Sequence, residues 1–356
     1  MNKVLKIILI ILLVLVVAAG SYVAYALIAY YRLEDNLVLE VETPVSGEAA
    51  VGQEYTIMSY NIGFGAYSED YSFFLDGGTY SRAFSKEAVM KNVGGAISAM
   101  TDLAPDLLLL QEVDVNATRS YHVDERGLIY DALSGYSSAY AQNYDSPYLF
   151  YPFNEPHGKS VAGIITLSSL QIDSALRRSL PVEKGFMKML DLDRCYSVSR
   201  IPTDSGKTLC LYNLHLSAYS SDGSIATEQL ELLLSDMSAE YAAGNYVIAG
   251  GDFNKDLLGD SSAFFPGSDG EDQVWAQPFP LGMLPNEIAL VAPLDKKNPI
   301  PSSRCADAPY DPETAFVLTL DGFLVSDNVD VLSSAVVDTG FKWSDHNPVT
   351  MTFTLS

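Results

Sequence analysis

The chain has 356 residues, of which 48% are hydrophobic, and its formal net charge at pH 7 is −24. A protein that holds nucleic acid through the phosphate backbone needs many Lys and Arg side chains, whereas here 45 acidic residues face 21 basic ones. The charge therefore disfavours nucleic acid as the substrate, and nucleic acid stays open only as an alternative. Length alone is compatible with two domains or with one large domain and an appendage.

The N-terminal segment predicts a membrane anchor. Between Ile7 and Tyr31 lie about 25 residues without a charge, enough to cross a hydrocarbon core of about 30 Å at about 1.5 Å per residue. Lys3 and Lys6 precede this run, so the positive-inside rule places the N-terminus in the cytoplasm and the rest of the chain outside. A cleaved signal peptide, which would make the protein secreted, is the alternative. We favour the anchor because the run exceeds the roughly 7 to 15 apolar residues of a signal peptide.

The sequence after the anchor divides into a linker and one domain. Residues 33–53 are rich in Asp and Glu, which suits a solvated stem held away from an anionic bilayer surface. We therefore predict a cytoplasmic tip and transmembrane anchor over 1–32, an acidic stem over 33–53, and a folded domain over 54–356.

Within that domain, apolar runs predict strands and helical spacing predicts two helices. Apolar residues recur at three and four positions in 86–103 and in 225–242, which is typical of amphipathic helices. Several strand candidates are almost continuously apolar, as expected for strands buried on both faces. Strands that alternate with helices in this way indicate mixed sheets covered by helices. The predicted strands are 55–60, 106–112, 161–167, 194–201, 208–216, 246–250, 315–325 and 348–355.

Three stretches look like insertions between these elements: 63–85, 113–160 and 259–314. They are rich in Tyr, Ser, Gly, Asp and Pro and lack long periodic runs, so we expect them to project from strand ends. Their many aromatic residues are compatible with a pocket, with lipid contact or with a local hydrophobic core.

Two cationic residues and two histidines of these stretches support weaker predictions. Lys159 and Arg304 are candidate phosphate contacts, although solvated loop residues are the favoured interpretation. His157 and His122 are expected at the surface.

The cysteines permit at most one intramolecular disulfide. The cysteines are Cys195, Cys210 and Cys305. Three unpaired thiols are favoured over a cross-strand disulfide between Cys195 and Cys210.

A set of polar residues follows the predicted strands, where active sites commonly begin. All offer hard oxygen or imidazole groups, and no cysteine is among them. Such sets suit Mg²⁺ or Mn²⁺ bound together with substrate phosphate. The chemistry indicated is phosphoryl transfer to water, which needs a cation, a base and hydrogen-bond donors. The residues are Asn61, Glu112, Asp252, Asn254, Asp321, Asp345 and His346.

Five motifs carry a resemblance to a known superfamily. In chain order they are YNIGF (60–64), LLLLQEVD (107–114), YNLHL (212–216), IAGGDFN (248–254) and WSDHNPV (343–349). Together they resemble the endonuclease/exonuclease/phosphatase superfamily, which includes DNase I, neutral sphingomyelinases and inositol polyphosphate 5-phosphatases. The resemblance implies an α/β fold, the four-layer α/β/β/α sandwich of DNase I-like proteins, here preceded by one N-terminal transmembrane helix.

The resemblance also implies a metal site and makes 54–356 the catalytic domain. Glu112 matches the principal metal carboxylate of the family. Asn61 matches the residue that helps to hold the metal and to orient Asp252, and Asp345 is expected to bind the metal directly or through water. The expected cofactor is Mg²⁺, with Mn²⁺ as the alternative.

The catalytic roles follow from the same resemblance. His215 matches the histidine that contacts a nonbridging phosphate oxygen or protonates the leaving group. Asp252 is expected to position or deprotonate the attacking water, and Asn254 to hold the phosphate. Asp321 is expected to pair with His346.

The predicted function is hydrolysis of a phosphoester, in a lipid head group or a small molecule, outside the cytoplasm. The alternatives are a membrane-anchored DNase I-like nuclease and a catalytically inactive binding module.

Overall fold

The computed structural model describes residues 2–182, 192–218, 224–265 and 276–356. Part of the predicted insertion 259–314, residues 266–275, lies outside the described residues. Four α-helices occur in the described part of the chain. They are α1 (Lys3–Ala29), α2 (Lys86–Leu103), α3 (Glu125–Ala132) and α4 (Ser224–Ala242).

Both amphipathic helices predicted from the sequence, 86–103 and 225–242, are confirmed as α2 and α4. The hydroxyl of Ser85 caps α2 by accepting a hydrogen bond from the Ala88 N–H at 3.1 Å. The short helix α3 was not predicted. Its first turn is capped by Asp124, which accepts from the Gly127 N–H at 3.0 Å.

The described strands, β1 to β16 in chain order, form two large sheets and a short ribbon. They are Leu37–Leu39, Val41–Glu42, Tyr55–Asn61, Leu107–Ala117, Ser137–Asp145, Ser160–Ser168, Ser174–Ser179, Cys195–Pro202, Thr208–His215, Tyr246–Asp252, Ile288–Val291, Ser303–Arg304, Val317–Leu318, Asp321–Ser326, Val329–Val336 and Val349–Leu355. One sheet has the order β1-β7-β8-β9-β10-β14-β11 and the other β15-β16-β3-β4-β6-β5-β2. The pairs β3–β4 and β9–β10 are parallel, and the other pairs of both sheets are antiparallel.

The two sheets pack face to face, and helices cover their outer faces. Side chains such as Ile57 and Leu109 of one sheet and Leu211, Ile248 and Phe323 of the other form the core between the sheets. Apolar residues of α2 and α3 pack on the outer face of the sheet that contains β3, and those of α4 on the outer face of the other. The central strands of each sheet are therefore buried on both faces, and the predicted α/β/β/α sandwich is confirmed.

The prediction that 113–160 is an insertion is wrong. Strand β4 continues to Ala117, α3 follows, and β5 pairs along its length with β6 inside the sheet. The residues of β5, SSAYAQNYD, are small and polar although most are buried. Their weak hydrophobic signal hid an internal strand. Similarly, 259–314 contributes β11, and the predicted strand 315–325 is two strands, β13 and β14.

The segment predicted to be a solvated stem is partly in strand form. Within 33–53, β1 pairs with β7 at the edge of one sheet, and β2 pairs with β5 at the edge of the other. Arg32 forms an ion pair with Asp193 at 2.8 Å just after α1. The chain between the apolar helix and the domain is thus bound along the sandwich, and the boundary at residue 54 stays a prediction.

Helix α1 is long and apolar enough to cross a membrane. Only Ala26 of its residues is buried. Its role as an anchor and its orientation stay predictions.

The three cysteines are buried and form no disulfide, as favoured by the sequence. In the β8–β9 ladder, Cys210 lies opposite Arg200, so the first two cysteines are not cross-strand partners.

Candidate active site

The eight site residues predicted from the sequence meet at one end of the sandwich. Asn61, His215 and Asp252 end strands β3, β9 and β10, whereas Asp321 begins β14. Because β9 and β10 are parallel and β14 is antiparallel to β10, the register places both His215 and Asp321 beside Asp252. The other site residues enter from β4 and from the loops that follow β10 and precede β16. They are Glu112, Asn254, Asp345 and His346.

Asp252 lies at the centre of the site. Its Oδ2 accepts a hydrogen bond from Asn61 Nδ2 at 3.1 Å and lies 3.6 Å from His215 Nε2 and 3.7 Å from His346 Nε2. Its Oδ1 accepts from the Asn254 N–H at 2.8 Å. Burial raises the pKa of Asp252 to about 7, the charge of Asp321 adds to the rise, and His346 opposes it. Such a carboxyl group can exchange a proton near neutral pH.

His346 and Asp321 form a buried hydrogen-bonded pair. His346 Nδ1 lies 2.8 Å from Asp321 Oδ2, which also accepts from the Ser302 hydroxyl at 2.7 Å. Burial lowers the pKa of His346, but Asp321 and Asp252 outweigh burial, so that the pKa lies well above its usual value. The two carboxylates therefore favour the cationic imidazole, whose Nε2 lies 3.4 Å from the Ser303 hydroxyl and 3.7 Å from Asp252 Oδ2.

Glu112 and Asp345 form a second acidic group beside this pair. Asn61 Nδ2 donates to Glu112 Oε1 at 3.1 Å, and the Ser344 hydroxyl donates to Asp345 Oδ1 at 3.2 Å. The same hydroxyl lies 2.8 Å from the backbone oxygen of Asn61, which connects the loop before β16 to the end of β3. Burial raises the pKa of Asp345 to about 6, and the charge of Glu112 contributes to the rise.

The donor set of this acidic group fits a hard divalent cation. Both carboxylates are half-buried and therefore open to a ligand. The amide oxygen of Asn61 accepts from the Gly63 N–H at 3.0 Å and keeps a second lone pair. Oxygen ligands of this kind suit Mg²⁺ or Mn²⁺. Atoms of Asp252, Asp321 and His346 also lie within 4.8 Å of one another, but there His346 Nδ1 is already committed to the bond with Asp321.

The backbone around the site adopts conformations that L-residues rarely take. Glu112 has φ 55° and lies at a bulge where β4 skips register against β6. This bulge turns the carboxylate out of the ladder, at a cost of about 1–3 kcal/mol typical of strained site residues. At Gly251, with φ 148°, a Cβ would lie 2.0 Å from the Leu214 oxygen, so only glycine fits beside β9.

His215 and Asn254 complete the site on the side of β9. Burial and the charges of Arg194 and His346 lower the pKa of His215 well below its usual value, so its imidazole is neutral. Its Nδ1 is buried without a hydrogen-bond partner among the described residues. Asn254 has φ 48°, and its Nδ2 donates to the Leu216 oxygen at 2.8 Å. A neutral imidazole of this kind is a donor available to a substrate oxygen.

Sequence reasoning missed the groups that support these residues. Ser302 binds Asp321 from a distance of 19 positions along the chain, and no local signal marks it. Ser344 belongs to the WSDHNPV motif, but its contact with Asn61 depends on the fold. Arg119 is paired with Asp114 at 2.8 Å, and its guanidinium lies 3.8 Å from the Phe64 ring centroid.

Two predictions about cations and histidines near the site are wrong. Arg304 is buried and donates to backbone oxygens, including that of Ser68 at 2.9 Å, so it is not a solvated rim residue. His157 is also buried, with its Nδ1 2.8 Å from the Ser81 oxygen. Both fill interior space under loops that sequence patterns could not place.

The remaining predictions of this kind are confirmed. The Lys159 side chain is 51% exposed and paired with Asp145 at 3.2 Å, as expected of a solvated loop residue. His122 lies at the surface. A local hydrophobic core, one of the alternatives for the aromatic residues, forms around Phe64, Tyr67 and Tyr71.

Comparison with known proteins identifies the family of the chain. The sequence model described as the Endonuclease/Exonuclease/phosphatase family matches residues 58–346. No curated protein matches the chain.

Several solved structures share the fold. The endonuclease/exonuclease/phosphatase from Beutenbergia cavernae is 17% identical with a TM-score of 0.58, covering 85% of this chain and 72% of that one. ANGEL2, a 2′,3′-cyclic phosphatase, is 15% identical with a TM-score of 0.56, covering 90% and 99%. The human Nocturnin catalytic domain is 16% identical with a TM-score of 0.54, covering 89% and 97%. At these identities the likeness concerns the fold.

Proposed function

The chain belongs to the endonuclease/exonuclease/phosphatase family, and from this premise we propose that it is a Mg²⁺-dependent phosphoester hydrolase anchored in a membrane. Its proposed substrate is a lipid head group or a small phosphoester outside the cytoplasm. The observation that carries the proposal is the environment of Asp252, which contacts Asn61, His215 and His346 at 3.1–3.7 Å. One carboxylate among an amide and two imidazoles is suited to handling water and phosphate together.

The metal would be held by Glu112 and Asp345, with the amide oxygen of Asn61 as a third ligand. When bound, the cation neutralises charge on the phosphate group. The side chains themselves supply orientation: Asn61 bridges Glu112 and Asp252 through its Nδ2, so the acidic group and the base keep a fixed spacing. This bridging gives Asn61 a structural as well as a ligand role.

Asp252 is the proposed base. Its pKa of about 7 lets it take a proton from water when the water oxygen attacks phosphorus. As the new P–O bond forms, the ester P–O bond breaks and the leaving oxygen needs a proton. His346, whose cationic form Asp321 stabilises, is the proton donor at hand. The neutral His215 and Asn254 donate hydrogen bonds to nonbridging oxygens.

The net charge of −24 supports a small or lipid-borne phosphoester over nucleic acid. Helix α1 supports a location at a membrane. An anchored nuclease with the same chemistry is the second candidate.

The test is a panel of substrates assayed side by side with Mg²⁺. Full-length protein in mild detergent is given bis(4-nitrophenyl) phosphate, plasmid DNA and sphingomyelin, with Asp252→Asn as the inactive reference. We expect turnover of bis(4-nitrophenyl) phosphate or of sphingomyelin, and we expect this turnover to be lost in Asp252→Asn. Turnover of DNA alone would favour the nuclease, and no turnover of any substrate would favour an inactive binding module.

A further inference from the structure

The loop between β5 and β6 binds the end of the apolar helix α1. The Tyr22 hydroxyl donates to the Tyr148 oxygen at 3.0 Å, and the Tyr148 N–H donates to the Tyr25 hydroxyl at 3.1 Å. The Tyr22 ring also meets the Phe150 ring edge-on, with centroids 5.2 Å apart. Residues 148–153, called here the aromatic loop, are thus fixed at one level along α1.

This level coincides with the expected surface of a bilayer. If Lys6 marks one edge of the hydrocarbon core, Tyr22 and Tyr25 lie roughly 24 to 28 Å further along the helix at 1.5 Å per residue. The core itself is about 30 Å thick. Tyrosines at such positions are typical of the interfacial aromatic belt of membrane proteins. The aromatic loop, hydrogen-bonded to these tyrosines, would then lie at the outer interface.

The aromatic loop exposes large apolar side chains at this level. Phe150, Tyr151 and Phe153 are 50%, 63% and 84% exposed. The aromatic residues of the segment 63–85, such as Tyr67 and Tyr71, are instead buried in a hydrophobic core of their own. Three neighbouring exposed rings are costly in water and favourable in a lipid interface.

The aromatic loop also lies at the same end of the sandwich as the active site. The start of β6 pairs with β4 beyond Glu112, with Ala117 opposite Ser160, so the loop leaves the sheet where the site begins. The ring of Tyr151 lies 5.8 Å from that of Phe74. Phe74 packs on the aromatic core that contains Phe64, directly after Gly63 of the site. A continuous packed region therefore links the loop to the catalytic end.

We propose that the aromatic loop is a second membrane contact, which inserts into the same bilayer as α1 and holds the catalytic end of the sandwich at the lipid surface. The inference rests on the proposed anchoring of α1 and deepens the proposed function, because it favours phosphoesters carried by lipids. A bilayer of zwitterionic lipid is the fitting partner, since the net charge of −24 opposes a strongly anionic surface.

The first test measures the depth of the loop. Full-length protein is reconstituted in phosphatidylcholine vesicles with a nitroxide at Phe153→Cys, at Leu13→Cys within α1, or at Ser205→Cys in the exposed β8–β9 turn. The native cysteines are buried, which favours labelling of the introduced one. The ratio of collisions with oxygen to those with a water-soluble nickel chelate should be several-fold higher at 153 than at 205.

The label at position 13 distinguishes failure of the proposed loop contact from failure of the proposed membrane anchor. A deep label at 13 with water-like labels at both 153 and 205 would leave the anchor intact and overturn the loop contact. A water-like label at 13 would overturn the anchor and the loop contact together. Neither result depends on enzymatic activity.

The second test compares Phe153→Ser with Leu332→Ser. Leu332 is 51% exposed on β15, at the opposite edge of the same sheet, and serves as the matched control. Phe153→Ser should lower turnover of sphingomyelin in vesicles about tenfold, because a ring proposed to be buried in the bilayer is lost. Turnover of soluble bis(4-nitrophenyl) phosphate should stay unchanged. Equal turnover of vesicle substrate by both variants would contradict the proposal. Absence of any turnover in the unaltered protein would instead defeat the proposed function, and the depth measurement would still decide the loop contact.

Discussion

The two acidic halves of the candidate site place the same type of side chain, a carboxylate, among different neighbours. Glu112 accepts a hydrogen bond from the Asn61 amide, and Asp345 accepts one from the Ser344 hydroxyl. Asp252 and Asp321 instead flank the imidazole of His346 at 3.7 and 2.8 Å. The first arrangement fits the proposed metal cation, whereas in the second the two carboxylates raise the pKa of the imidazole and so favour its cationic form. The neighbours of a carboxylate, more than its identity, decide between metal binding and proton transfer.

The largest expected effect is at Asp252. Asp252→Asn keeps the size of the side chain and removes the base, so kcat should fall by about 10⁴, the upper range for general base catalysis. Additional Mg²⁺ should not restore activity, because the defect lies in proton transfer. Asp330→Asn, an exposed acid on β15, is the control. Recovery of Asp252→Asn at high Mg²⁺ would move Asp252 into the metal-binding half.

The next effect concerns the pair of Asp321 and His346. Loss of either partner should lower kcat/KM by about 10³, and loss of both should cost about the same, because groups that act as a unit are not additive. The measurement compares Asp321→Asn, His346→Ala and the double variant. Multiplication of the two single losses in the double variant would show that the residues act independently.

A smaller and recoverable effect is expected at Glu112. Glu112→Gln removes one charge from the proposed metal site, so activity at limiting Mg²⁺ should fall by about 10² and return in part at high Mg²⁺. Titration of activity with Mg²⁺ shows this as a shift of the half-saturating concentration. Glu228→Gln, exposed on α4, is the matched control. An unshifted Mg²⁺ titration would refute the assignment of Glu112.

The smallest effect extends the comparison to a histidine without carboxylate partners. Burial, with Arg119 contributing, lowers the pKa of His157 to about 3, whereas two carboxylates raise that of His346. His157 is therefore neutral in the fold, and its contribution to stability is complete above about pH 6.5 and lost as pH falls towards 3. This contribution changes the free energy of unfolding by about 1.4 kcal/mol per pH unit.

Chemical unfolding of His157→Gln at several pH values tests this interpretation. The variant should show a shallower loss of stability than the unaltered protein between pH 6 and pH 4, a window set by the His157 pKa. His122→Gln, at an exposed position, should behave like the unaltered protein. Parallel stability curves for the His157 variant and the unaltered protein would show that His157 is not buried in its neutral form.

The sequence by itself determined where the candidate site residues lie relative to the strands. Asn61, Glu112 and Asp252 follow apolar runs long enough to predict buried strands, and the ends of such strands are where polar side chains gather. Helices α2 and α4 were predicted within one residue of their observed bounds because their spacing of apolar residues is regular. Local patterns of this kind survive folding because burial of a single face enforces them.

Only the tertiary structure decided the features that depend on contacts between distant segments. Strand β5 is composed of small and polar residues, and its neighbours in the sheet, not its own hydrophobicity, make it a strand. Arg304 and His157 are buried because loops close over them. The aromatic residues 67–74 and 148–153 have similar composition, yet the first are packed in a core and the second lie beside α1. Composition sets which groups can be buried, and the path of the chain sets which of them are.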